Sequence, residues 1–477
     1  MRIVALVLFF ALVTFSGGLL VAQEFMQSVP AQTPAEQPRF AFAQQSQFAP
    51  VPQSFFVPEQ VFAQADSPAA WTFDQVITAV LTSDPRLRIG REEIRQARAE
   101  HLTSSLLPNP TFTAEGGALP FRRNQITEDR PGGPSELNLQ VEFPIDWFLF
   151  AKRKAGMNSA NWEIQQSQAE YADLIRERIT QAATLFYDVL EAKALLAVAQ
   201  QDVEILTQLE KIAKEGVEAG GIPAVEWRRI SLDLLQSRQE LLEADRTLYI
   251  LKTQLRSLFG STDHDPAFDV TGDLNAPITI DPMPLEAAYT MAQQNRPDIR
   301  ALRMQMGKSQ ANVRLEKRNA FPEVTPHFGY TRQYQKSQGA DDYNGWGVGV
   351  SMTVPLFNRN QGNRAKTQSA LAQSSHQYQA GIVDLRAEIL EADRNLRTAH
   401  QLAHTFATEE VHLAREVRDI MIESFQAGGR PLIDVLDTER SYRETVRLFV
   451  TSRADYWRAL YIYKSVIGAD SASWMER

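Results

Sequence analysis

Glu215-Gly-Val-Glu-Ala-Gly-Gly-Ile-Pro223 and Glu423-Ser-Phe-Gln-Ala-Gly-Gly-Arg-Pro431 carry the same instruction twice. Paired glycines let a chain leave a helix through positive φ. A proline shortly after starts the next helix, because its fixed φ and missing N–H suit a first turn. Gly220, Gly221 and Pro223, and again Gly428, Gly429 and Pro431, therefore predict two helical hairpin turns. Upstream of each turn runs a long stretch without proline, near 151–219 and 361–426. Each predicts a helix of roughly 65 residues, about 95 Å long at 1.5 Å per residue. In the first, Ile175, Ile179, Ala182, Phe186, Val189, Ala192, Leu196, Ala199, Val203, Leu206 and Leu209 step by three and four. That is the spacing of coiled-coil packing.

The repetition extends outward. Asp84-Pro-Arg-Leu87 returns as Arg296-Pro-Asp-Ile299, Pro110 as Pro322, and Phe143-Pro-Ile145 as Val354-Pro-Leu356. The offset drifts only from 212 (Asp84 to Arg296) to 208 (Gly220 to Gly428). Two internal repeats are predicted, at 71–260 and 284–468, joined by a linker at 261–283. Each should run as a helix of about thirty residues, two strands, the long helix and a return helix. The opening helices fall near Phe73–Leu106 and Leu285–Asn319.

The strands alternate. Leu137, Leu139, Val141 and Phe143 share one face of 137–143, and Gly347, Gly349, Ser351 and Thr353 share one face of 346–354. Weaker partners lie near Thr111–Leu119 and Val324–Tyr334, with polar loops expected at 121–134 and 335–343. Such alternation suits either a half-buried soluble sheet or a wall between lipid and water. Gly345, Gly347 and Gly349 do not open into a helix, so they are no nucleotide fingerprint. Four strands cannot close a membrane barrel, and lipid does not tolerate open edges. If these strands span a membrane, several chains must pool them.

Residues 1–22 read as a signal peptide, with Arg2 before an apolar run and small residues near Ala22. Residues 23–70, rich in Gln and Pro, read as a disordered arm, and 469–477 as a tail. The formal net charge is −9 without a basic block, which argues against nucleic acid. The chain has no cysteine, which removes disulfides, thiolate metal sites and lipidation on cysteine. No HExxH, GxSxG or phosphate-loop motif occurs, so neither an enzyme nor a cofactor is expected. His400 and His404, with His412 two turns on, are the best metal constellation, but packing or solvated histidines are the expected reading.

The order of these pieces resembles the TolC-like outer membrane efflux proteins over about 71–468. The sharpest match is Ser424-Phe-Gln-Ala-Gly-Gly-Arg-Pro-Leu-Ile-Asp-Val-Leu-Asp-Thr438. The opening 73–87 and the proline turns at Phe143-Pro-Ile-Asp146 and Val354-Pro-Leu-Phe357 add to it. The resemblance implies a mainly α fold with a small β part. Long antiparallel hairpins would form a periplasmic α-barrel, and four strands per protomer would contribute to a shared twelve-stranded transmembrane β-barrel. It implies a homotrimer in outer-membrane lipid, a passive duct served by a periplasmic adaptor and an inner-membrane pump. Asp434, Asp437 and Arg430 match positions that gate the pore, and Phe425 and Glu226 match neighbouring positions less closely. The glycine–proline turns would meet the adaptor. The rival expectation is a periplasm-spanning coiled-coil scaffold without a barrel.

Overall fold

The computed structural model describes residues 70–117, 134–221, 223–261, 268–278, 283–336, 339–427 and 429–469, the side chains of 405–408 and 426 excepted. The expected signal peptide, nearly all of the arm and tail, and the 121–133 loop lie outside these residues. The first half comprises α1 (Phe73–Ser83), α2 (Pro85–Ser105), β1 (Thr111–Gly117), β2 (Ser135–Glu142), a short α3 (Asp146–Leu149), α4 (Lys152–Glu218) and α5 (Ala224–Leu258). The second comprises α6 (Leu285–Asn295), α7 (Pro297–Asn319), β3 (Val324–Tyr334), β4 (Tyr343–Met352), α8 (Gln361–Gln401), a π-helix (Leu402–Phe406), α9 (Ala407–Gln426) and α10 (Leu432–Ile467). No helix among the described residues is long and apolar enough to cross a membrane.

The opening helices, expected as single elements, are each broken in two at a proline. Pro85 and Pro297 push the preceding residue out of the helical region, so Asp84 takes ψ 121° and Arg296 ψ 124°. Asp84 then caps α2 by accepting from the Arg86 N–H at 2.7 Å. Its second oxygen meets Arg178 of α4 at 2.5 Å, and both side chains are buried. The second half reverses the charges: Arg296 pairs with Asp298 at 2.6 Å and with Glu388 of α8.

The helix α4 has 67 residues, on the order of 100 Å, and is the spine of the molecule. Its Ile179, Phe186, Val189 and Leu190 form a core with α1, α5 and α10. The linker joins that core through buried Phe268, Val270 and Leu274, and Val270 bridges Trp71. A second core lies between α6, α8 and α10, with Ile299 of α7 in it. The second long helix was expected to run unbroken over 361–426. It instead changes to π geometry at Leu402–Phe406. The rings of His400 and His404 stack there, centroids 5.6 Å apart. No group of three or more potential metal ligands exists among the described residues.

The four strands form one antiparallel sheet in the order β1-β2-β3-β4. Its register puts Phe112, Val141, Phe328 and Val348 in one row. The adjacent row, on the opposite face, is Thr113, Gln140, Gly329 and Gly347. All four apolar side chains of the first row are exposed in the single chain. Strands β1 and β4 are its two edges.

Asp84→Ala removes a cap and strands the buried Arg178 guanidinium. Removing one partner of a buried pair costs about 3–5 kcal/mol. We expect the denaturant midpoint of the detergent-solubilised protein to fall accordingly.

Candidate functional site

Both hairpin turns lie at one end of the bundle. At the first, Gly220 has φ 76°. Its N–H donates to Val217 O at 3.0 Å, and the Gly221 N–H donates to Gly216 O at 2.9 Å. These two bonds satisfy the last carbonyls of α4. At the second turn, the Gly429 N–H donates to Ser424 O at 2.9 Å, again five residues back. Gly428 lies outside the described residues. Pro223 and Pro431 are extended and immediately precede α5 and α10.

One apolar cluster ties the two turns together. Leu206, Leu209 and Ala213 of α4 meet Ile230 and Leu234 of α5 and Leu432 and Leu436 of α10. Trp227, Phe425 and Ile433 pack around it. Phe425 therefore belongs to the seam between the hairpins. It shares a void of about 20 Å³ with Ile205, Leu209, Ile422, Leu432, Val435 and Glu439.

The charged residues surround this cluster. Arg430 lies 3.5 Å from Asp434, and both reach solvent. Asp437 is exposed and 3.9 Å from Arg440. Arg440 turns its other nitrogen to Asp233 of α5 at 3.1 Å, which joins the two hairpins. Asp434 and Asp437 sit three residues apart and share a side of α10. Glu226 occupies the first turn of α5 and makes no ion pair among the described residues. The fold thus brings Arg430, Asp434, Asp437 and Phe425 to one end, with Glu226 on the companion hairpin.

The sequence reading missed a second set of charges further along the bundle. Arg443 of α10 pairs with buried Asp202 of α4, which also accepts from Ser237 Oγ of α5 at 3.1 Å. Burial raises the pKa of Asp202 despite Arg443. Burial likewise raises that of Glu439, against the pull of Arg418 and Arg443. A signal was available: Arg440, Arg443 and Arg447 step by three and four among the apolar residues of α10.

The outer membrane efflux protein family model matches residues 76–261 and 288–461. The chain belongs to the outer membrane efflux protein family. It is 24% identical to the cobalt-zinc-cadmium resistance protein CzcC of Cupriavidus metallidurans, over 78% of this chain and 83% of that protein. It is also 24% identical to outer membrane protein TolC of Vibrio cholerae, over 84% and 92%. The Campylobacter jejuni CmeC outer membrane channel shares the fold, with TM-score 0.71 at 14% identity over 92% of this chain and 97% of that one. CusC superposes with TM-score 0.69 at 16% identity, over 90% and 99%. As an outer membrane efflux protein, the chain is an export duct of the cell outer membrane that reaches into the periplasm, and it is not an enzyme. That removes the barrel-free scaffold as a rival.

Gly220→Val forces a β-branched residue into positive φ, although the space around the glycine is open. The expected cost is about 1–2 kcal/mol, confined to the turn. Amide exchange around 213–230 should accelerate roughly tenfold, the factor that 1.4 kcal/mol carries.

Proposed function

We propose that three copies of this outer membrane efflux protein close into one duct. The observation that carries this reading is the pair of helix faces left over in the single chain. Gly220 and Gly428 stand 208 positions apart, and the same offset relates α5 to α10. On α10, Ile433, Arg440, Arg443 and Val450 face the first half. Their counterparts on α5 are Val225, Leu232, Leu235 and Leu242, a stripe of exposed apolar side chains. On α4, Ile205 and Leu209 face the second half. Their counterparts on α9, Leu413 and Val417, are exposed. An internal duplication explains both. The α4–α10 seam forms within the chain, and its twin, α5 against α9, forms between one protomer and the next. The contact is head-to-tail, which generates a ring when its rotation closes.

The sheet needs the same closure. Its β1 edge would pair with a neighbour's β4 edge, and three copies of four strands give the twelve-stranded barrel. The row of Phe112, Val141, Phe328 and Val348 then faces lipid, and the glycine-rich row faces the lumen. At the periplasmic tip, Asp434 and Asp437 form rings of carboxylates that narrow the pore and favour cations. Arg430, Phe425 and Glu226 complete the gate, and the turns at Gly220-Gly221-Pro223 and Gly428-Gly429-Pro431 meet the adaptor of a pump.

Two measurements test this. The detergent-extracted outer-membrane protein should have the native mass of a trimer; a monomer sinks the pooled barrel. In planar bilayers, Asp434→Asn with Asp437→Asn should lower cation-over-anion permeability several-fold. Unchanged selectivity removes the two aspartates from the gate.

A further inference from the structure

Between the tip and the middle of the bundle, four helices meet at a buried group of charges that the gate does not include. Asp202 comes from α4, Arg418 and Asp419 from α9, Glu439 and Arg443 from α10, and Ser237 from α5. Asp202, Arg418, Glu439 and Ser237 are all nearly inaccessible to solvent. Arg418 lies over the Tyr442 ring at 4.3 Å and pairs with Asp419 at 2.7 Å.

The group is incompletely satisfied. Asp202 Oδ1, Glu439 Oε1, Arg418 Nη1 and Arg443 Nε are all buried without a hydrogen-bond partner. A buried polar group without a partner typically costs about 1–3 kcal/mol, more when charged. Four such atoms meet at one seam between the α4–α5 and α9–α10 hairpins. Glu439 also borders the void that Phe425 lines, so the group adjoins the gate.

We propose that Asp202, Arg443, Glu439 and Arg418 form a proton-controlled latch between the hairpins, which holds the tip shut when Glu439 is neutral and loosens it when Glu439 is ionised. The proposal rests on the duct reading above. Glu439 faces Arg418 and Asp419 of α9, Asp202 of α4 and Arg443 of its own helix. Asp202 faces Arg443 and Arg447 of α10 and Ser237 of α5. Arg440 and Arg447 pair with Asp233 and Glu240 of α5. The direction follows from linkage. Burial raises the Glu439 pKa in the packed seam, so the packed state binds a proton more tightly than a wetted, opened one. Acid therefore favours closure. That contribution is complete below the ordinary carboxylate range and is lost as pH rises through the raised value.

The test is the open fraction of the full-length protein in planar bilayers between pH 5 and pH 8. The wild type should open several-fold more at the alkaline end. Glu439→Gln, neutral at every pH, should stay low and flat, and Asp202→Asn should flatten the response in part. Asp434→Asn with Asp437→Asn should keep the pH response, since those groups lie outside the latch. A Glu439→Gln trimer that follows the wild-type curve overturns the latch, as does a wild type without pH dependence. A wild type that forms no channels at all overturns the duct reading and the latch with it.

Discussion

The seating of α10 against α4 is the contact on which the rest of the structure depends. Most of the stability of a helix such as α4 comes from what its faces bury. Near the tip it buries Leu206 and Leu209 against Leu432 and Leu436. Further along, Val450 enters the main core, and Trp457 stacks on Tyr187 at 5.7 Å. Arg458 closes the seam on Asp188 and Glu191, each at 2.6 Å. Remove this seam and the two halves stay joined along the bundle where α7 packs on α4, as at Ser159 with Asn312 and Lys308 with Glu163.

On the proposed closure, the seam also explains why two edges stay open in the single chain, α5 with β1 and α9 with β4. A repeated half that uses one face to bind its twin must present the same face again at the far end. In a solenoid that far end is capped; in a closed ring it meets the first edge of another copy. The helices and the sheet agree on this point. Both leave one unused edge on each half, and both edges need a neighbour. On the proposed closure, the apolar row of the sheet meets lipid and the apolar stripe of α5 meets protein.

Much of this was legible in the residues. The paired glycines fixed where the hairpins turn, because positive φ and a following proline leave few alternatives. Strict alternation in Leu137–Phe143 announced a two-faced strand. Other features were not readable. Pro85 and Pro297 mark the repetition, and each also breaks the opening helix of its half, which helical periodicity alone does not show. The π-helix at Leu402–Phe406 carries no glycine or proline, so no helix-breaking residue marks it. The charges around Asp202 and Glu439 are scattered over four helices, so only the fold brings them together. Arg430, Asp434 and Asp437 are singled out by their match to family positions beside a recognisable turn.

The reversed charges at the two helix breaks have a consequence for assembly. Asp84 answers Arg178, while Arg296 answers Glu388. Were the opening helices of the first half to dock on the long helix of the second, Asp84 would confront Glu388. The complementary error would set Arg296 against Arg178. Both mistakes set a buried charge against one of its own sign, which is costly. The reversed pairs thus mark the two docking positions with opposite signs, a distinction that the apolar contacts around them do not make.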